Sequence, residues 1–281
     1  MKNLAEYTKQ KEWLVCVDSD GCAMDTMDIK HIRCFGPCMV EEWELDAWKD
    51  AILDRWNEIN LYTLTRGINR FKGLSIALTE INEKYTPING VEAFCAWAEK
   101  SPELSNNALK SKIELGGENA IFKKALAWSL AVNKAINELP EEEKLPFEGV
   151  KEALAFSHAS ADVAIVSSAN LDAVLEEWQK HRLLEHTDIV LSQNAGNKAF
   201  CICELLKKGY AKENVVMCGD APGDMKAAEK NGVYYYPILV GREKESWEEF
   251  ISVALEKLKT GTYGGEYAEK KKAEFLKNLG E

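Results

Sequence analysis

The sequence predicts an α/β protein whose parallel sheet is interrupted by an all-helical insertion. From about residue 147 onward, apolar runs of strand length alternate with helical patterns, which is typical of a parallel α/β sheet. One more strand-like run lies near the N-terminus, whereas residues 22–149 between the two regions carry no strand signal. Because the first strand needs the later ones to complete its sheet, the helical block must be an insertion.

The first predicted strand ends on two carboxylates. Residues 15–17 are apolar and lead directly to Asp18 and Asp20, with Gly21 next. Side chains two apart in a strand start on the same side, and Gly21 lets the chain bend away. Two acids this close repel each other unless a cation or a shared proton separates them. The pair therefore suits a nucleophile beside a metal ion with a second acid that handles protons, while a solvated turn at the strand end is the alternative.

The inserted block is predicted to be a series of helices that contains its own apolar core. Its helical patterns cover four stretches, namely 41–60, 69–84, 90–100 and 118–138. Proline and glycine separate them at Pro87, Gly116, Gly117 and Pro140. Its five tryptophans are expected in the core of the block rather than at a ligand: Trp43, Trp48, Trp56, Trp97 and Trp128.

Three later strands also end on polar side chains. These are Ser167, Ser168 and Asn170 after 161–166, Lys198 after 188–192 and the following loop, and Asp220 and Asp224 after 214–219. Acids for Mg²⁺, hydroxyls for phosphate oxygens and an ammonium group for charge are the groups that phosphoryl transfer needs. Helix capping is the alternative for the serines, the asparagine and the acids, and ordinary solvation is the alternative for the lysine.

In this order (Asp-x-Asp-Gly, Ser, Lys, Gly-Asp-x-x-x-Asp) the chain resembles the haloacid dehalogenase (HAD) superfamily of phosphohydrolases. The resemblance covers residues 13–21 and 161–239 and includes all four family motifs. It implies a Rossmann-like catalytic core, residues 1–21 and 150–281, and a helical cap, residues 22–149, that lies over the site as a lid.

The resemblance also implies a role for each polar side chain. Asp18 attacks the phosphorus and forms an aspartyl-phosphate, and Asp20 protonates the leaving oxygen and then activates water. Lys198 neutralises charge on the transferring group and holds Asp18. The phosphoryl oxygens contact Ser167, with Ser168 and Asn170 as second contacts. A Mg²⁺ ion is bound by Asp18, Asp220, Asp224 and Asp20, the last through its backbone carbonyl.

A basic stretch in the insertion suggests a second contact with the substrate. Residues 59–79 contain no acid, although the chain holds 46, and Arg66, Arg70 and Lys72 lie together there. Arg66 and Arg70 would share a helix face if the helix began early enough, and both are predicted to bind a second anionic group of the substrate. The alternative is a basic surface that faces the acidic remainder of the protein.

Composition narrows the class of protein. The chain has 281 residues, of which 46% are hydrophobic and 29% charged, and these values are typical of a globular protein. The net charge of −11 argues against nucleic acid as a main partner. A polar N-terminal segment and the absence of a long apolar run predict a cytoplasmic protein that does not interact with membranes. Oligomeric state has no signature in the sequence.

The most favoured function is therefore a Mg²⁺-dependent phosphatase that acts on a small phosphorylated metabolite. Asp20 argues against dehalogenases and phosphonate-cleaving relatives, which lack an acid at this position. A phosphomutase would use the same residues and differ in how the cap excludes water. A non-catalytic binding protein on the same fold is the third possibility, and the presence of Asp18 and Asp20 argues against it.

Overall fold

The computed structural model describes residues 4–116 and 120–280 of the chain. The chain divides into two compact units. The segment Asp28–Pro140 forms one of them, the helical unit, and the sequence on both sides of it forms the other, the sheet unit. Among the described residues, no helix combines the length and apolar character that crossing a membrane requires.

The sheet unit contains a five-stranded parallel sheet with the strand order β3-β2-β1-β4-β5. The strands are β1 (Trp13–Val17), β2 (Ala161–Val166), β3 (Ile189–Leu191), β4 (Val215–Gly219) and β5 (Tyr234–Pro237). The four strands expected from the sequence are all present, and β5 completes the sheet beside β4. The predicted α/β fold class is confirmed.

Helices account for most of the remaining chain. In chain order they are α1 (Met27–Lys30), α2 (Gly36–Glu42), α3 (Lys49–Asn57), α4 (Arg70–Lys84), α5 (Val91–Lys100), α6 (Asn106–Glu114), α7 (Ala120–Asn137), α8 (Val150–Ser160), α9 (Leu171–Lys180), α10 (Lys198–Leu206), α11 (Pro222–Asn231), α12 (Glu243–Glu249), α13 (Leu255–Lys259) and α14 (Glu266–Asn278). Within its described residues the helical unit has no strand, as the sequence predicted for the insertion.

The sheet is buried on both faces, and its side chains alternate between two apolar cores. Val15 and Val17 of β1 pack in one core, and Leu14 and Cys16 pack in the other. Parallel sheets carry helices on both faces, so their central strands are apolar at every position rather than at every second one. The run of β1 is continuously apolar because this strand lies in the middle of the sheet, between β2 and β4.

Strand register brings the ends of three strands to one edge. Val17 pairs with Ile165 of β2 and with Cys218 of β4. Just beyond the ladder, the Asp18 N–H donates to the Cys218 carbonyl at 3.0 Å. The residues that follow β1, β2 and β4 therefore emerge side by side at the carboxyl edge of the sheet, where open α/β sheets bind ligands.

The boundaries of the insertion differ from those expected. The sequence assigned residues 22–149 to the insertion, but the segments on either side of the helical unit belong to the sheet unit. The two flanking segments belong to the sheet unit because their backbones form hydrogen bonds with each other. The Asp25 N–H donates to the Leu145 carbonyl at 2.8 Å, and the Phe147 N–H donates to the Ala23 carbonyl at 3.0 Å. These contacts join sequence positions more than a hundred residues apart, which a local pattern does not reveal.

The helical unit has a core of its own in which the predicted tryptophans take part. Trp43, Trp56 and Trp128 are buried, and Trp48 and Trp97 pack against them as partly buried side chains. The predicted helices 69–84 and 90–100 are present as α4 and α5, and the one predicted at 118–138 is present as α7, with residues 118 and 119 outside the described chain. Helix α6 was not predicted.

The predicted helix 41–60 is interrupted. Helix α2 ends at Glu42, and the chain turns at Glu44, whose φ of 57° lies in the left-handed region, before α3 begins. Neither glycine nor proline marks this turn, so no residue of the usual turn-forming types indicates it. A non-glycine residue in this conformation is uncommon, and backbone hydrogen bonds close the turn, from the Glu44 N–H to the Glu41 carbonyl and from the Leu45 N–H to the Val40 carbonyl.

Candidate active site

Asp18 lies at the end of β1 with its carboxylate held from two sides. The Ser19 N–H donates to Asp18 Oδ1 at 2.7 Å, and Lys198 Nζ lies 2.6 Å from Asp18 Oδ2. The side chain is buried, with 6% of the residue exposed. A carboxylate held in this way has a defined direction of attack, which a nucleophile requires.

A tight turn after Asp18 fixes the course of the chain. The Ser19 carbonyl accepts the N–H groups of Cys22, Ala23 and Met24 at 3.2, 2.9 and 2.8 Å. The indole N–H of Trp178, which lies in α9, donates to Ser19 Oγ at 2.9 Å. Sequence reasoning gave no role to Ser19 or Trp178. The sequence shows a tryptophan soon after the Ser167 motif, but it does not show that this side chain donates a hydrogen bond to a serine 159 positions away.

Asp20 follows on the same turn and is half-buried. The hydroxyl of Thr26, a fully buried residue, donates to Asp20 Oδ1 at 2.6 Å. This hydrogen bond restricts the carboxyl group that is expected to move protons. Thr26 was also missed, although a hydroxyl six residues after an acid on a turn is a weak signal of such a contact.

Lys198 connects the carboxylate of Asp18 with that of Asp224. It is the first residue of α10, and its Nζ lies 2.6 Å from Asp18 Oδ2 and 2.5 Å from Asp224 Oδ1. The sequence suggested this lysine from its order among the motifs alone. The structure brings together three residues that are separated by up to about 200 positions in the chain.

In the trio of Asp18, Lys198 and Asp224, burial and the opposite charges of the neighbouring groups shift each pKa in opposite directions. Burial raises the pKa of Asp18 to about 6, although the ammonium group of Lys198 opposes the rise. Burial likewise raises the pKa of Asp224 to about 6 against the same ammonium group. For Lys198, burial favours the neutral amine, but the two carboxylates outweigh it and hold the lysine pKa above its ordinary value. The Lys198 ammonium group thus stabilises the ionised form of both carboxyl groups against their burial.

Three buried acids form a cluster suited to a metal ion. Asp18, Asp220 and Asp224 each offer a carboxylate oxygen, and these oxygens all lie within 4.8 Å of one another. Hard divalent cations such as Mg²⁺ prefer oxygen ligands of this kind. Two buried carboxylates beside Asp18 also repel its charge, and a divalent cation would remove that repulsion. The three carboxylates are therefore suitable ligands for Mg²⁺, the metal ion that the sequence predicts.

Asp224 is drawn into the cluster by two local features. Its Oδ2 accepts the Ala221 N–H at 3.1 Å across the first turn of α11. Its side chain also packs against the backbone of Gly219, where an added Cβ would overlap the carboxylate. Asp224 can therefore cap the helix and bind a metal ion at the same time. The capping hydrogen bond uses one lone pair of the carboxylate, and the remaining lone pairs are available to a metal ion.

The predicted phosphate-binding side chains differ in their surroundings. Ser167 is buried at the end of β2, and its Oγ accepts the Ala169 N–H at 3.1 Å, which leaves the hydroxyl hydrogen for a ligand oxygen. Ser168 is exposed. Asn170 is the N-cap of α9, where its Oδ1 accepts the Asp172 N–H at 2.9 Å. The capping alternative is therefore present at Asn170, and a substrate contact there stays a prediction.

The two arginines of the basic stretch lie in the helical unit, and they are not equivalent. Helix α4 begins at Arg70, so Arg66 precedes it and the two do not share a helix face. Arg66 is buried, its NH1 donates to the Leu61 carbonyl at 2.7 Å, and Asp28 lies 3.8 Å away. Arg70 donates instead to Ser129 and to a neighbouring asparagine.

A sequence profile described as haloacid dehalogenase-like hydrolase matches residues 90–237, which is more than half of the chain. The chain belongs to this family. The matched part of this haloacid dehalogenase-like hydrolase contains Ser167, Lys198, Asp220 and Asp224, whereas Asp18 and Asp20 lie outside it. The predicted family membership is confirmed.

Solved structures are similar to this chain at low sequence identity. A haloacid dehalogenase-like family hydrolase from Xanthomonas campestris is 15% identical, with a TM-score of 0.50 over 90% of this chain and 94% of its own. A hydrolase of the haloacid dehalogenase-like family from Streptococcus pneumoniae is 13% identical, with a TM-score of 0.45 over 85% and 90%. A HAD-superfamily hydrolase from Geobacter sulfurreducens is 14% identical, with a TM-score of 0.40 over 82% and 88%. No protein with a curated description matches the sequence significantly.

Proposed function

We propose that this family member is a Mg²⁺-dependent phosphatase that hydrolyses a small phosphorylated metabolite through an aspartyl-phosphate intermediate. The observation that carries the proposal is the 2.6 Å contact between Lys198 Nζ and Asp18 Oδ2 beside the cluster of buried acids. The ammonium group of Lys198 lowers the pKa of Asp18 against the effect of burial and so favours the ionised carboxylate, which can act as a nucleophile. The ammonium group offsets the charge of an incoming phosphate.

The chemistry proceeds in two steps. In the first, a carboxylate oxygen of Asp18 forms a bond to phosphorus while the bond to the leaving oxygen breaks, and Asp20 gives its proton to that oxygen. In the second, Asp20 takes a proton from water, the water oxygen bonds to phosphorus, and the bond to Asp18 breaks. Inorganic phosphate leaves, and both acids return to their starting states. Thr26 keeps Asp20 oriented in both steps.

The other polar residues act on the phosphoryl group. Ser167 donates a hydrogen bond to one of its oxygens, and Lys198 balances its charge. Asp18, Asp220 and Asp224 would hold a Mg²⁺ ion, with the Asp20 carbonyl as a further ligand by resemblance to the family. When bound, the ion would supply positive charge that screens the nucleophile from the anionic substrate.

A panel of phosphorylated metabolites, incubated with Mg²⁺ and assayed for inorganic phosphate, tests the proposal. The wild-type protein should release phosphate from at least one small ester, and Asp18→Asn should abolish this release while the fold is retained. Asp172→Asn, the same change at an exposed position of the sheet unit, is the matched control and should retain full activity. Equal activity in the wild type and Asp18→Asn would rule out the mechanism.

The same assay separates hydrolysis from phosphoryl transfer. A phosphatase releases one inorganic phosphate for each ester consumed, whereas a mutase consumes the ester and releases little phosphate. We expect stoichiometric release. The cytoplasmic location expected from the sequence stays a prediction, as does the absence of nucleic acid and membrane partners.

A further inference from the structure

Arg70 is held in a fixed orientation by only one of its nitrogens. Its NH1 donates to Ser129 Oγ at 3.0 Å, to the Ser129 carbonyl at 3.4 Å and to Asn133 Oδ1 at 2.7 Å. The guanidinium carbon lies 5.0 Å from the centre of the Phe35 ring, which supports the group from one face. Among the described residues nothing accepts a hydrogen bond from Nε or NH2, so the edge of the guanidinium group that carries these two nitrogens is open to a ligand.

The charge of Arg70 is not neutralised within the described chain. No described carboxylate forms an ion pair with it, although the protein has 46 acids and a net charge of −11. Burial lowers the pKa of Arg70 to about 10, and no acid offsets this effect. By contrast, Arg55 of the same unit is bound to Glu58 at 2.7 Å and to Glu80 at 2.8 Å. Arg70 is half-buried, and a cation that is partly removed from water with no acid beside it favours binding of an anion from outside the chain.

Its position in the helix is also unfavourable for the isolated protein. Arg70 is the first residue of α4, a helix of 15 residues whose first turn contains no acid. The N-terminal end of a helix carries partial positive charge, which disfavours a cation there and favours an anion. Because Asn69 Oδ1 already accepts the Phe71 N–H at 2.9 Å, this helix end contributes only its partial positive charge to attracting an anion, and the hydrogen bonds come from the open edge of the guanidinium.

We infer that Arg70, supported by Phe35, Ser129 and Asn133, forms an anion-binding site in the helical unit. Its ligand is a carboxylate or phosphate group, which accepts two parallel hydrogen bonds from the open edge of the guanidinium. The group belongs either to the substrate of the proposed phosphatase or to a separate small anion. The first source rests on the proposed function, and the second does not.

Binding is tested without turnover on the full-length protein. The Nε–H resonance of Arg70, assigned with Arg70→Lys, is followed by NMR while inorganic phosphate is added. A saturable shift of this resonance is expected, with no comparable shift at Arg55, whose guanidinium is already bound to two acids. Absence of a saturable shift at Arg70, or an equal response at Arg55, would overturn the inference. This result does not depend on whether the protein is a phosphatase.

Kinetics identify the source of the anion. An alkyl phosphate is compared with the same ester carrying a terminal carboxylate or second phosphate. If the anion is part of the substrate, Arg70→Gln should lower kcat/KM for the second ester on the order of tenfold to a hundredfold, with little effect on the first. Arg70→Lys should be more active than Arg70→Gln but less active than the wild type, because an ammonium group cannot donate two parallel hydrogen bonds to the anion.

Lys72→Gln is the matched control because it removes one exposed positive charge from the same helical turn. It should change both rates by less than about threefold, as expected for a solvated charge. An NMR shift without kinetic selectivity supports a site for a separate anion. Selectivity lost equally in Arg70→Gln and Lys72→Gln would show a general field effect and contradict a substrate contact at Arg70. If no ester is hydrolysed, the proposed function fails while the NMR test still decides the site.

Discussion

A glycine at the end of β4 makes room for one of the acids of the site. The side chain of Asp224 packs so close to Gly219 that any Cβ at this position would overlap its carboxylate. The hydroxyl of Tyr235 donates to the Gly219 carbonyl at 2.9 Å, so the backbone cannot easily move away. The absence of one side-chain atom therefore determines where Asp224 meets Lys198.

Gly219→Ala should displace Asp224 and with it Lys198. Since misplacement of a catalytic group by about 1 Å can lower the rate a hundredfold, we expect kcat/KM to fall about tenfold to a hundredfold. Gly223→Ala is the control, because a Cβ at Gly223 meets nothing within 4 Å. Steady-state assays of both variants decide the point, and equal activities would show that the packing at Gly219 has no catalytic consequence.

A second prediction at the residue scale concerns Thr26. Thr26→Val keeps the shape of the side chain but removes the hydrogen bond to Asp20. We expect kcat to fall about fivefold, equivalent to about 1 kcal/mol for one hydrogen bond. Thr26→Ser, which keeps the hydroxyl, should retain most of the activity. An unchanged kcat in Thr26→Val would mean that Asp20 is oriented by other contacts.

At the scale of elements, strand ends were the features that the sequence revealed best. Each of β1, β2 and β4 is a short run, apolar except for Asp162 in β2, that is followed at once by a polar side chain, so the location of Asp18, Ser167 and Asp220 at one edge follows from the parallel sheet alone. The interruption of the helical block near Glu44 could not be predicted, because backbone hydrogen bonds close that turn and neither glycine nor proline marks it.

Asn170 provides a test at this scale because two roles compete for it. As the N-cap of α9, Asn170→Ala should lower the free energy of unfolding by about 1 kcal/mol. Asn170→Asp keeps a capping oxygen and should retain stability, but it would raise KM if the side chain contacts an anionic substrate. Denaturant unfolding and KM measured on both variants separate the roles. Full stability of Asn170→Ala would contradict the capping assignment.

At the scale of the whole molecule, contacts between distant parts of the chain build the site. The turn after β1 depends on Trp178, the lysine of the trio comes from α10, and its two acids come from the end of β1 and from α11. Motif order indicated which residues meet. It could not indicate Ser19, Trp178 or Thr26, whose side chains act through hydrogen bonds that no short sequence pattern encodes.

Metal dependence is a property of this assembled cluster. Activity should require Mg²⁺ and disappear with excess chelator, since the charges of Asp18, Asp220 and Asp224 then repel one another and the substrate. Ca²⁺ should substitute poorly, because it takes more ligands at longer distances and would engage Asp18 with both oxygens. Phosphate release measured with each cation tests this. Undiminished release in excess chelator would contradict the assignment of these acids as metal ligands.

The central claim is that Asp18 carries the phosphoryl group during turnover. It is tested most directly by acid quenching during the reaction, followed by mass spectrometry of the peptide that contains Asp18. With an activated aryl phosphate, whose leaving oxygen departs without needing a proton, Asp20→Asn should slow mainly the second step and raise the amount of the intermediate, because no acid remains to activate water. The account predicts a phosphoryl adduct on Asp18 that disappears when substrate is exhausted. Turnover at full rate with no adduct on Asp18, or with an adduct on another residue, would contradict it.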